Sequence, residues 1–239
     1  MSDARIFIAI PLFNRRAVVE QCVPTVRVSP DDTVILYDDG STEYDSGFWE
    51  TMNPHVTGLQ MAVDSIGIDA QRKNHFKDFW ARRDEFTHLY LCDSDAPHDP
   101  NWRTHALDLQ ARYSAPICLY RTRTHADYDN NIFADLPSED VIWQRFSPGV
   151  SLLLTTAHVE RIMAHLPEGP WAWDWAVPGL LGYRMAVSRV SHVDHIGWHG
   201  LHDRNVEPRK VSTERCLMPT EGLKQKRGEV MGELKLNDC

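Results

Sequence analysis

The chain has 239 residues, 25 Lys and Arg against 34 Asp and Glu for a formal net charge of −9, and 42% hydrophobic residues. This is enough length and apolar content to bury a core, while the acidic balance disfavours nucleic acid as a partner without excluding a local basic patch. Cys22, Cys92, Cys118, Cys216 and Cys239 are odd in number and lack C-x-x-C spacing, which excludes a disulfide frame or structural zinc site and predicts a cytoplasmic protein with reduced thiols; no apolar run nears 18 residues, so no membrane span is expected.

Arg5–Ile10 (RIFIAI) is the near-continuous apolar run of a central parallel strand. Pro11 to Asn14 should end it, and Ala17–Val26 reads as a helix closing near Pro30. A second strand, Thr33–Tyr37, runs into Asp38-Asp39-Gly40-Ser41-Thr42, so the first three elements form a right-handed βαβ unit. Asp39, at a strand's carboxyl end, can accept hydrogen bonds from a nucleobase or ribose; taken by itself it is better read as an Asp-Gly turn that needs no ligand. Ser46–Met61 has no clear pattern beyond Phe48 and Trp49, which belong in a core. Val63–Ile68 suggests a further strand turning at Gly67. Asp69–Arg83 has helical periodicity, with Asp69 as N-cap and Ala70, Phe76, Phe79 and Trp80 near one face. Arg72, in its first turn, suits either a diphosphate or base contact or a solvated basic face.

Thr87–Cys92 reads as a short buried strand feeding directly into Asp93-Ser94-Asp95, after which Pro97 and Pro100 stop regular structure. Two carboxylates at a strand end can face a pyrophosphate only through a hard divalent cation, Mn²⁺ or Mg²⁺, that takes oxygen ligands from both sides. The competing reading is a polar turn. Trp102–Tyr113 reads as a helix, Ala115–Arg121 as a strand, and residues 122–147 as an aperiodic, acceptor-facing insert. Val150–Leu154 and Ala157–His165 follow as strand and helix. Asp174 lies among Trp171, Trp173 and Trp175, whose apolar walls would raise its pKa and suit it to general-base work; it also suits the N-cap of a helix Trp175–Leu181. Met185–Val190 is the last expected strand. His192, His195, His199 and His202 fall within eleven residues, a density compatible with a metal ligand or with a polar loop. Residues 205–239 read as a polar tail.

In order and spacing, IFIAIPLFNR, ILYDDGST, IGIDAQRKN, LYLCDSDAPHDPNW, the acidic residue of WAWDW and the late HIGWHG resemble the family 2-like glycosyltransferases of the GT-A fold, over roughly residues 5–203. The resemblance implies an α/β, Rossmann-like α/β/α sandwich with a mostly parallel central sheet. It places a nucleotide-sugar-binding half at 1–102 and an acceptor and catalytic half at 103–204. It implies that Pro11, Asp38 and Asp39 lie against the nucleoside, that Arg72 approaches the base or diphosphate, and that Asp93 holds the ribose or metal. Asp95 and His195 would ligate the metal, and Asp174 would be the catalytic base of an inverting, metal-dependent transfer from a nucleotide-diphosphate sugar, a UDP-sugar favoured, to a saccharide or other hydroxyl acceptor. Trp173 replaces the first residue of the family's acidic pair, and no Q-x-x-R-W follows, which argues against a processive synthase. A non-catalytic sugar-nucleotide or carbohydrate-binding module and a phage-type sugar transferase acting on DNA share the donor features. A nucleotidyltransferase is disfavoured, because PLFNRRAV has no glycine to build a phosphate loop.

Overall fold

The structure, a computed structural model, describes residues 4–121, 132–133, 136, 138–146, 148–169 and 171–197. Its centre is strand β1, Ile6–Leu12, flanked in parallel by β2, Thr33–Asp38, and β4, His88–Cys92, with the short β3, Gly58–Met61, at the sheet edge. Beyond β4 come β7 (Ser151–Thr155), β5 (Ile117–Cys118), β8 (Met185–Ser188) and β6 (Val141–Gln144), giving the order β3-β2-β1-β4-β7-β5-β8-β6. Strand β7 is antiparallel to β4 and β5, and β6 to β8; the other pairings are parallel.

The apolar run of β1 is continuous because the strand is covered on both faces. Ile6, Ile8, Ile10 and Leu12 enter one core with Val19, Phe48 and Trp102, while Phe7 and Ala9 enter a second with Phe76, Phe79, Val159 and Val177. Helices α1 (Arg16–Cys22), α2 (Ser46–Met52) and α4 (Trp102–Tyr113) therefore lie on one side. Helices α3 (Ile68–Ala81), α5 (Thr156–Met163) and α6 (Trp173–Leu180) lie on the other, which makes an α/β/α sandwich. Trp102 anchors the first layer: its ring stacks on Tyr90 at 4.4 Å and its Nε1–H donates to the Val26 carbonyl at 3.0 Å. Burying an aromatic side chain of this size contributes about 3 kcal/mol.

Several expected boundaries move, each for a local reason. Strand β1 continues through Pro11 to Leu12, because its pairing with β4 stops at Ala9 and no ladder on that side needs the missing N–H. Helix α1 ends at Cys22 and passes into a single 3-10 turn, Val23–Thr25, at Pro24. The strand expected at Val63–Ile68 is instead β3, and Val63 is 95% exposed; an edge strand is held by backbone pairing and needs no apolar run. Gly67, with φ of 81°, takes the cap position of α3, and Asp69 falls inside the first turn. Asp174 likewise sits in the first turn of α6, which is capped by Ala172. The strand expected over Ala115–Arg121 shortens to β5, and within 122–147 the antiparallel partner β6 appears. No helix among the described residues is long and apolar enough to cross a membrane. The expected tail, 205–239, lies outside the described residues.

Candidate functional site

Strand order reverses about β1, with β2 and β3 to one side and β4 to the other, and the carboxyl ends of the strands at such a reversal are where open α/β sheets hold their ligands. Four segments meet there. Strand β4 delivers Asp93 and Asp95; the Asp93 N–H is fixed on the Val150 carbonyl at 3.0 Å. The loop after β8 runs antiparallel to residues 95–99: the Asp99 N–H donates to the His192 carbonyl at 2.9 Å, Asp194 to Pro97 at 3.0 Å, and Ile196 to Asp95 at 3.0 Å. That short ladder carries His195 across a hundred positions to the carboxylates. Its Nε2 lies 3.1 Å from Asp95 Oδ1, and ligand atoms of Asp93, Asp95 and His195 lie within 4.8 Å of one another.

Helix α3 supplies Arg72, which is fully buried and gives Nη2 to Asp93 Oδ1 at 2.6 Å. The solvated-face reading of Arg72 is thereby set aside. The buried face of α3 includes the polar Gln71, Arg72 and His75 beside Phe76 and Phe79, so it is rotated from the apolar stripe the sequence suggests. The guanidinium carbon of Arg72 sits 4.7 Å from the Trp173 ring centre, and its Nη1 is 3.3 Å from His75 Nδ1. Trp173 needs Gly149 to reach this seat, because a Cβ there would come within 2.5 Å of the indole. Trp173 thus gives Arg72 a cation–π support.

Electrostatics follow from the crowding. Burial is the largest influence on Asp95 and pushes its carboxyl up, but His195 and Arg15 outweigh it and hold it at about 2. Desolvation raises Asp93 despite Arg72, and Asp95 adds to the rise. Burial depresses His195, yet Asp95 and Asp93 bring the net shift upward. Both oxygens of Asp95 face a cationic or imidazole nitrogen, Oδ1 the His195 Nε2 and Oδ2 the Arg15 Nη1. Two carboxylates and an imidazole with ligand atoms this close are a donor set that suits Mn²⁺ or Mg²⁺.

The remaining expected residues are nearby but apart from this cluster. Asp39 is buried, and its carboxylate accepts from Ser65 Oγ at 2.6 Å and from the Ile66 and Gly67 N–H groups at 2.7 and 3.0 Å. Asp38 accepts from the Ser41 N–H at 3.1 Å and closes the Asp-Gly turn. Pro11 is buried inside β1, opposite Tyr37. Asp174 is solvent-exposed on α6, one residue beyond Trp173; partial desolvation and then the nearby Asp69 raise its pKa. Of the four histidines, His195 meets the carboxylates, His192 packs on the His105 ring at 4.1 Å, and His199 and His202 lie outside the described residues.

Sequence reading missed Arg15, Tyr120 and Gly197. Arg15 Nη1 is 2.7 Å from Asp95 Oδ2. The Tyr120 ring is 5.8 Å from His195, and its buried hydroxyl has no hydrogen-bond partner among the described residues. Burial, then the charge of Asp194, pushes that hydroxyl's pKa up. Tyr120 follows a strand parallel to β4, a position at which the same carboxyl-end rule would have found it.

His98, from the same Asp-rich segment, is structural. Its Nδ1–H donates to the Ala96 carbonyl at 2.7 Å and its Nε2 accepts from Tyr90 at 2.8 Å, and burial pushes its pKa down to about 4. The unfolded chain, with a His pKa of about 6.5, takes up the proton first. The stability linked to His98 is therefore complete above about pH 6.5, and about 3 kcal/mol of it is lost as pH falls toward 4. Thermal unfolding of wild type and His98→Gln across pH 7.5 to 4.5 should show a shallower acid decline in the variant; parallel curves would contradict the assignment.

No protein-family model matches the chain, and no curated protein matches it. Solved structures do. S. aureus TarS 1–349 superposes with a TM-score of 0.56 at 15% identity over 77% of this chain and 57% of that one, and a complex of the same protein with UDP-GlcNAc matches equally well, at a TM-score of 0.56. The mannosyltransferase PcManGT from Pyrobaculum calidifontis, in complex with GDP-Man and Mn²⁺, gives 0.55 at 15% identity over 78% of this chain and 57% of that one. GalNAc-T7 with UDP, GalNAc and Mn²⁺ gives 0.60 at 9% identity over 81% of this chain and 44% of that one. The chain has the GT-A fold. It spans little more than half the length of TarS 1–349, at 57%. On the GT-A fold, the cluster of Asp93, Asp95 and His195 occupies the carboxyl-end crevice of the parallel strands.

Proposed function

We propose that the protein is an inverting, divalent-cation-dependent glycosyltransferase that moves a sugar from a nucleotide-diphosphate sugar to a hydroxyl acceptor, a saccharide being favoured. The observation that carries this reading is the convergence of Asp93, Asp95 and His195 within 4.8 Å at the strand-order reversal. Two carboxylates and an imidazole brought together from two distant segments form a donor set for a hard divalent cation. The neighbours' bound UDP-GlcNAc, GDP-Man and Mn²⁺ support the same reading.

Asp93, Asp95 and His195 would hold Mn²⁺ or Mg²⁺, and the ion would supply positive charge for the departing diphosphate. Arg72, buried and stacked on Trp173, fixes the orientation of Asp93. Pro11, Asp38 and Asp39 form the wall assigned to the nucleoside, with Asp39 bracing the 65–67 loop. Asp174 takes the proton from the acceptor hydroxyl as its oxygen attacks the anomeric carbon. The bond from that carbon to the diphosphate oxygen breaks on the opposite face, and the nucleoside diphosphate leaves with the electron pair. An Asp whose pKa is raised by desolvation is a stronger base than a free carboxylate, and its exposure leaves it open to an incoming acceptor.

The test is a thermal-shift screen of UDP-, GDP-, CMP- and dTDP-sugars, each with Mn²⁺ and with EDTA. One donor, UDP-linked by preference, should raise the midpoint with Mn²⁺ only, since a ligand specific to the folded state stabilises it by mass action. That donor should also be hydrolysed slowly in Mn²⁺, which separates an enzyme from a binding module. No shift with any donor would defeat the reading.

A further inference from the structure

We propose that Arg15 is the built-in counter-ion of Asp95, that a divalent cation must displace it, and that cation and anionic donor therefore load as a coupled pair. This rests on the cation–diphosphate reading of the site above.

Arg15 is placed for the task at a conformational cost. Asn14 and Arg15 are consecutive non-glycine residues in the left-handed region, with φ of 55° and 65°, each costing about 1 kcal/mol or more. The loop after β2 holds them there. Ser41 Oγ accepts the Asn14 N–H at 2.8 Å, Asn14 Oδ1 accepts the Thr42 N–H at 2.9 Å, and the Tyr44 hydroxyl donates to the Asn14 carbonyl. The result is a guanidinium whose Nη1 rests 2.7 Å from Asp95 Oδ2, eighty positions away. Gly197 closes the seat from behind. A Cβ at that position would lie 1.8 Å from Asp95 Oδ2 and 2.6 Å from Arg15 Nη2, so only a glycine backbone can press against the ion pair.

Charge then decides the binding order. The carboxylates of Asp93 and Asp95 are already matched by the guanidiniums of Arg72 and Arg15, one pair each. A divalent ion arriving alone adds two positive charges to a balanced cluster and competes with Arg15 for Asp95 Oδ2. Arg72 cannot yield, because it is fully buried under Trp173; Arg15 can, because its side chain is 24% exposed and borders an open groove of about 520 Å³ with Arg16, Glu43 and Ile196. A displaced guanidinium beside a dication is repelled by it until an anion joins both. A diphosphate does so, and its oxygens match the guanidinium fork. Linkage requires the help to be mutual: the diphosphate tightens the cation by the same factor as the cation tightens the diphosphate.

The experiment is equilibrium Mn²⁺ titration followed by electron paramagnetic resonance of the free ion, with no nucleotide, with UDP and with GDP, on wild type, Arg15→Gln and Arg15→Lys. Without nucleotide, Arg15→Gln should bind Mn²⁺ about tenfold more tightly than wild type, and the gain in Mn²⁺ affinity on adding the nucleotide should shrink from about tenfold or more to about threefold or less. Arg15→Lys, which keeps the charge but loses the fork, should fall between them and provides the same reading if the Gln variant does not fold. Equal or weaker Mn²⁺ binding by Arg15→Gln in the absence of nucleotide overturns the role of Arg15 and leaves the cation site standing. Absence of Mn²⁺ uptake by wild type even with UDP and GDP overturns the cation site itself, and this inference with it.

Discussion

Asp174→Asn should lower kcat by about 10²- to 10⁴-fold, the usual contribution of a positioned general base, while the donor Kd changes by less than about threefold. The side chain lies in the first turn of α6, stands outside the group formed by Asp93, Asp95 and His195, and is solvent-exposed, so its removal leaves the donor's partners in place. Asn preserves size but cannot accept the acceptor's proton. Steady-state transfer measured beside donor titration by calorimetry separates the two quantities. The product's anomeric configuration, opposite to the donor's, follows from the same single displacement. Parental turnover in Asp174→Asn would remove this residue from the mechanism without touching the donor site.

Asp95→Asn should do the reverse, weakening donor binding and turnover together by about 100-fold, the equivalent of about 3 kcal/mol of charge stabilisation. Asp95 faces Arg15 through one oxygen and His195 through the other. Asn leaves those cations without their anion and offers a cation only a neutral oxygen. The decisive comparison is the donor-induced rise in melting temperature with Mn²⁺ and with EDTA. Wild type should respond to the metal, and the variant should give the same small response in both. A variant that kept the full Mn²⁺-dependent shift would show that the cation is held elsewhere. Because Asp174→Asn should spare binding and Asp95→Asn should weaken it, the pair also distinguishes an enzyme from a sugar-nucleotide-binding module.

The sequence by itself determined the elements whose physics is local. RIFIAI is apolar without alternation because both faces of β1 are covered, and helix Trp102–Tyr113 and strand β4 fall within a residue or so of where their periodicity puts them. Asp93 and Asp95 were legible as a pair because chain geometry alone sets carboxylates two apart at a strand end. The tertiary structure decided everything that depends on meeting across the chain. His195 could be selected from four histidines only once the loop after β8 was laid along residues 95–99 by backbone hydrogen bonds, which carry no residue code. Arg15 carries no sequence signal of its own, since it is a left-handed turn that aims it at Asp95. Arg72 and Trp173 gave no sign of stacking, because a buried guanidinium on an indole has no sequence period. Side-chain type and spacing fix what a residue can do within a turn or strand; long-range packing fixes which charges share a dielectric, and with it which of them act together.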